Sequence, residues 1–115
     1  MNQIPESLLN TFRKYDTPTI VNSLELLDSK FRTSFFTTEQ MICVDTTLPP
    51  IVGYARTATI SASSEVDPNT KRDRSLAYYE YVSSGTGPCI SVIQDVDESP
   101  GFGAFWGEVN SNIHN

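Results

Sequence analysis

The sequence predicts an α/β fold, and two runs of opposite pattern carry that prediction. The first, "YARTATI", alternates side chains with a period of two, as a strand with one covered face does. The second, "PCISVIQDV", is a short continuous apolar run of the kind a parallel strand buries on both faces. Between and around them lie segments with helical spacing, and strands separated by helices read as an α/β arrangement. A chain of 115 residues suits one domain. Such a domain buries roughly two thirds of its unfolded surface, enough for a core.

In chain order, Pro5 opens a helix, a position where its missing N–H costs nothing. Leu8, Leu9 and Phe12 share one face, with Tyr15 a turn further on. "DTPTIVNSLELLDS" is a second helix, capped by Asp16 or Thr17 and started by Pro18. Its apolar stripe is Ile20, Val21, Leu24 and Leu27. Asp28 to Thr38 reads as a loop with local turns, and "MICVD" as a short strand or extended edge. "LPPIVGYARTATISASS" follows; Pro49 and Pro50 block an earlier strand start, and Gly53 permits close backbone approach.

"SSEVDPNTKRD" is polar, contains Pro68 and reads as a loop into a third helix, "DRSLAYYEYVSS". Asp73 is its expected cap, Leu76, Ala77 and Tyr79 or Tyr81 its covered residues, and Gly85 and Gly87 its stop. Tyr78, Tyr79 and Tyr81 read as core and interface packing. The apolar strand then leads through "DESPGFG" into a last helix starting within "AFWGEVNSNIHN". Gly101 and Gly103 are expected to serve the turn with positive φ.

Composition excludes several classes. Hydrophobic residues at 38% and charged residues at 19% are ordinary globular values. With 8 basic and 14 acidic residues the net charge is −6, which disfavours a nucleic-acid backbone as partner. The longest apolar runs are too short for a membrane helix, and "MNQIPESLLNTF" is no signal peptide. A cytoplasmic protein is expected. Cys43 and Cys89 stand far apart without a nearby histidine, and read as small buried hydrophobes in a reducing compartment. His114, near the end of the chain, is expected to be exposed and idle.

The glycine-rich turn is the candidate site. Gly101, Gly103 and Gly107 give a loosened dinucleotide fingerprint, but Phe102, Phe105 and Trp106 crowd the place where a pyrophosphate would touch backbone amides. A better fit uses the start of the last helix. The N–H groups of Gly107, Glu108 and Val109 would be unpaired there and could hold a carboxylate. Glu108 adds a negative charge beside them. The plainer alternative is an ordinary helix start, with Trp106 packed in the core and Glu108 a solvated first-turn acid.

"YDTPTIVNSLELL", "VGYARTATI", "GPCISVIQDV" and "GAFWGEV" occur in the order and spacing of the RraA-like family. That family includes the 4-hydroxy-4-methyl-2-oxoglutarate aldolases, and its members once carried the name of menaquinone methyltransferases. The chain resembles it at Thr19, Val21, Asn22 and Leu24, at Gly53, Ala55 and Thr57, and at Trp106, Gly107 and Glu108. It departs at Ser23, Val109 and Cys89, and Gly87 and Pro88 stand in reversed order. The resemblance implies a swivelling β/β/α fold, a ring-shaped homotrimer and a magnesium-dependent lyase acting on pyruvate-related 2-oxo acids. The amides of Gly107, Glu108 and Val109 would hold the substrate carboxylate, and Glu108 would contact metal-bound water.

The family's Arg-Asp pair, whose Asp ligates the metal, is expected beyond Asn115. Arg72-Asp73 precedes Glu108 and cannot replace it. The chain therefore resembles the N-terminal part of the domain and is expected to be inactive as it stands. A non-catalytic alternative is a regulator that binds and inhibits an RNA-degrading endonuclease, since an acidic surface suits a basic partner.

Overall fold

The computed structural model describes residues 3–34 and 37–115, which divide into two compact units, Met1–Val52 and Gly53–Asn115. Phe35 and Phe36, inside the expected loop, lie outside the described residues, as do Met1 and Asn2.

The first unit is helical. Helix α1 is Glu6–Phe12, entered from Pro5, and helix α2 is Thr17–Leu27. Asp16 caps α2, its carboxylate accepting the Thr19 N–H at 2.9 Å. Helix α2 stops at Asp28, which is extended and whose side chain accepts from Lys30 N–H, starting a 3-10 turn over Ser29–Arg32. Arg32 reaches back to Glu25 at 3.5 Å, tying the turn to the helix. Leu9 is buried at 3% exposure. Ile20, Val21 and Leu24 are half-buried as expected, but Leu27 is 81% exposed and leaves the apolar stripe. "MICVD" forms no strand: it is irregular and exposed, Cys43 included. The expectation of a short strand there fails because, among the described residues, no neighbouring strand offers it a ladder.

The second unit is a strand–helix–strand unit followed by a turn and a short helix. Strand β1 (Tyr54–Ile60) pairs in parallel with β2 (Cys89–Asp95), in register from Tyr54–Cys89 to Ile60–Asp95. β1 alternates half-buried and exposed residues throughout, so the period-two reading holds. β2 does not bury both faces: Val92 is 46% exposed, because two strands and one helix cover a single side. A continuous apolar run shows that a strand can be covered twice, but only neighbours can cover it.

Helix α3, Pro68–Ser83, starts five residues before the expected Asp73. Asp67 is the true cap, its carboxylate accepting the N–H groups of Asn69 and Thr70 at 3.1 Å each. Bonds from Thr70 above all hold the carboxyl of Asp67 below its ordinary range. Pro68 sits in the first turn, where its fixed φ suits a helix start, and Asp73 becomes an exposed residue of the second turn. "SSEVDPNTKRD" looked like a loop because it is polar, yet a polar helix needs only a cap and one useful face.

That face is made of tyrosines. Tyr81 accepts the Thr57 N–H on its hydroxyl at 3.3 Å and lies 5.3 Å from the Arg56 guanidinium. Tyr78, with its ring edge-on to Tyr79 and Phe105, turns its hydroxyl to His114. Leu76 is 55% exposed, so the expected apolar stripe is replaced by hydroxyl contacts to the sheet. Gly85, just past α3, is forced by crowding: a Cβ there would lie 2.6 Å from Cys89 Sγ and 2.8 Å from Arg56 Nη2. Cys89 is exposed rather than core: its thiol donates to the Gly87 carbonyl at 3.5 Å and lies beside the Arg56 guanidinium.

Replacing Leu9 by Ala is expected to destabilise the first unit by about 2 kcal/mol, the low end for a buried leucine, in a urea melt. Asp67→Ala is expected to lower helix content by circular dichroism more than Asp73→Ala, which removes no cap.

Candidate functional site at the carboxyl ends of the strands

Where β1 and β2 end, the segments that leave them are joined by one side chain. Asp97, two residues beyond β2, accepts four bonds from the segment that follows β1. The hydroxyl of Ser61 donates to Oδ1, as does that of Ser63 at 2.6 Å. The N–H groups of Ala62 and Ser63 donate to Oδ2 at 2.7 and 3.1 Å. Four donors stabilise the charged form, the Ser61 hydroxyl most, and hold this carboxyl at about 2. Ser64 joins the cluster with its hydroxyl 2.6 Å from that of Ser61.

Asp95 organises the other side, accepting the N–H of Asp97 at 3.0 Å and of Gly101 at 2.7 Å. Gly101 is the left-handed residue of the turn, with φ 86°, as expected. Gly103 is not; its need is space, since a Cβ there would collide with the Ala62 methyl.

Between these two loops lies a cavity of about 900 Å³ lined by Ser61, Ser64, Glu65, Asp67 and Lys71 on one side and Gly103 and Ala104 on the other. Open parallel sheets commonly bind ligands at this place, beyond the carboxyl ends of their strands. The sequence hides it. Its parts come from segments more than thirty residues apart, and the signal, serines after one strand and an Asp after the next, has meaning only once the register Ile60–Asp95 is known.

The residues singled out from the sequence lie elsewhere on the same turn. Helix α4 is Glu108–Ile113, with Gly107 extended at its start and no side-chain cap. Among the described residues the N–H groups of Gly107, Glu108 and Val109 take no partner, as expected. Gly107, Glu108 and Val109 are exposed and do not line the cavity. Six residues also make too short a helix to gather much dipole or to stand alone. Trp106 is not a core residue: it is 54% exposed, with its ring edge-on to Phe105 and His114.

What anchors α4 is the residue expected to be idle. His114 is half-buried, with Nε2 2.7 Å from the Tyr78 hydroxyl and Nδ1 2.6 Å from the Asn110 carbonyl. A carbonyl only accepts, so Nδ1 carries the proton and Nε2 accepts from Tyr78. Burial raises the Tyr78 phenol above its ordinary value, more than its Ser91 bond lowers it, which keeps that donor protonated. Tyr79 donates to Asn110 Oδ1 at 3.0 Å, so two adjacent tyrosines of α3 hold the short helix.

Among the described residues, no three His, Cys, Asp or Glu side chains converge to hold a metal ion, and no helix is long and apolar enough to cross a membrane. No family model matches the chain, and no curated protein or solved structure matches it.

Asp97 gives the site a pH dependence. Its carboxyl is depressed from 3.8 to about 2, so it favours the folded loop above the ordinary carboxylate value. That contribution is lost as pH falls through the interval from 3.8 to about 2. The protection factors of the Ala62 and Ser63 amides, which remove the intrinsic pH dependence of exchange, are expected to fall across that interval, and at neutral pH in Asp97→Asn. Unchanged exchange in the variant would mean that the loop holds without this carboxylate.

Proposed function

We propose that this chain is part of a lyase acting on small pyruvate-related 2-oxo acids, of the 4-hydroxy-4-methyl-2-oxoglutarate aldolase or oxaloacetate decarboxylase type. The observation that carries the proposal is the cavity beyond the carboxyl ends of β1 and β2, lined on one side by Gly103 and Ala104, which precede Trp106, Gly107 and Glu108 in the chain. Of the segments that resemble the RraA-like family, the one running from Gly103 to Val109 contributes Gly103 and Ala104 to the cavity lining. The swivelling fold, the homotrimer and a cytoplasmic location belong to the same proposal.

The chain's own residues would bind and orient the acid. The free amides of Gly107, Glu108 and Val109, outside the cavity lining, would hold its carboxylate, and Glu108 would orient water. A divalent ion, magnesium in the resemblance, would polarise the oxo group, but the described residues do not supply a donor set that fits it.

A regulator that binds a basic protein is the second reading. It is favoured by the net charge of −6 and by Leu26 and Leu27, 86% and 81% exposed on α2.

The test is pyruvate release from 4-hydroxy-4-methyl-2-oxoglutarate and from oxaloacetate with magnesium, for this chain and any longer product of its gene. Turnover that falls at least about tenfold in Glu108→Ala, roughly the weight of one placed charged group, supports the lyase. No turnover in either protein, together with saturable binding to an RNA-degrading endonuclease, supports the regulator.

A further inference from the structure

We infer that two copies of this chain pair through the outer edge of β2, antiparallel about Val92, to make one four-stranded sheet. The inference is independent of the small-acid reading, and a two-fold contact of this kind is separate from that of a three-membered ring.

The register decides which edge is open. The Tyr54 N–H donates to the Pro88 carbonyl and the Val96 N–H to the Ile60 carbonyl, so the even-numbered residues of each strand turn their backbone groups toward the other strand. The odd-numbered residues turn theirs outward. On β1 the outward N–H of Thr57 is taken by the Tyr81 hydroxyl at 3.3 Å. On β2 the outward N–H groups of Ser91 and Ile93 take no partner among the described residues. Its sequence, "CISVIQD", also lacks the proline or lysine that commonly blunts an edge.

A second copy fits that edge residue by residue. With Val92 on the two-fold axis, Ser91 faces Ile93 of the second copy and Cys89 faces Asp95. Each of these pairs joins two outward residues, so each can exchange two N–H···O bonds. Val92, 46% exposed, meets its own counterpart in the close position between bonded pairs, where two β-branched side chains pack favourably.

Charge favours the same register. Among the described residues Arg56 has no ion pair, and its Nε is buried without a hydrogen bond. The Cys89 thiol lies beside that guanidinium. Asp95 is the one charged residue of β2, and the pairing sets it opposite Cys89 of the second copy, hence toward an unpaired Arg56, twice per dimer. No carboxylate of β2 faces its own counterpart. A two-stranded sheet is marginal in water, and four strands give the ladder the neighbours that one copy lacks.

The experiment is sedimentation velocity of this chain over a concentration series, with amide exchange read by NMR. The parent is expected to pass from one chain to two as concentration rises. Val92→Lys sets like charges face to face on the axis and should stay a single chain throughout, as should Val92→Glu. An equimolar mixture of the two variants should return to two chains, because opposite charges then meet. In Val92→Lys the amides of Ser91 and Ile93 should lose the protection they have in the concentrated parent, while those of Ile90 and Gln94, bonded to β1, keep theirs. A parent that remains one chain at every concentration overturns the inference, as does Val92→Lys pairing as the parent does. Protection of Ser91 and Ile93 in a single chain also overturns it, since the chain's own residues would then cover the edge. A mixture that stays single, with both variants giving the parent's circular dichroism, overturns the register about Val92.

Discussion

The Asp97 carboxylate is the constraint on which the candidate site depends. Two parallel strands end side by side, but nothing in a ladder dictates what the chain does beyond its last rung. One carboxylate supplies that instruction, gathering two hydroxyls and two amides from the segment after β1 onto the segment after β2. The serine segment is thereby held in place, Asp67 begins α3 four residues after Ser63, and Lys71 follows one turn later. The cavity wall is a consequence of that sequence of short-range commitments.

The sheet below is thin, and its stabilisation is correspondingly polar. With β1 and β2 covered on one side by a helix that lacks an apolar stripe, tyrosine hydroxyls perform the docking that leucines perform elsewhere. Tyr81 meets the β1 backbone, and Tyr78 and Tyr79 together hold α4. Hydrogen bonds of this kind contribute about 1 kcal/mol each, less than a buried leucine, but they are directional. They explain how a six-residue helix, too short to persist alone, has a defined place and a histidine of defined tautomer.

In the proposed chemistry the turn after β2 contributes free amides and Glu108 as the seat of a ligand carboxylate. Those amides offer fixed dipoles on a short helix. A metal ion implied by the family resemblance would need donors beyond those that the described residues bring together.

Local chemistry was readable in advance wherever neighbours in sequence settle it. The α/β class, the alternation of β1, the Asp16 cap, the start of α4 and the left-handed Gly101 all follow from periodicity or from one residue's backbone preference. What the sequence could not disclose depends on partners distant along the chain. The polar run at 63–73 hid both the Asp67 cap and the first turn of α3, because polarity alone does not separate a loop from a helix facing water. β2, Leu27, Trp106 and the cysteines read as core from their side chains, but burial needs a second surface, and only the tertiary arrangement says where one exists. His114 looked idle because its partner sits thirty-six positions away. The cavity was invisible for the same reason: its walls meet only when two parallel strands align and Asp97 closes the gap between their ends.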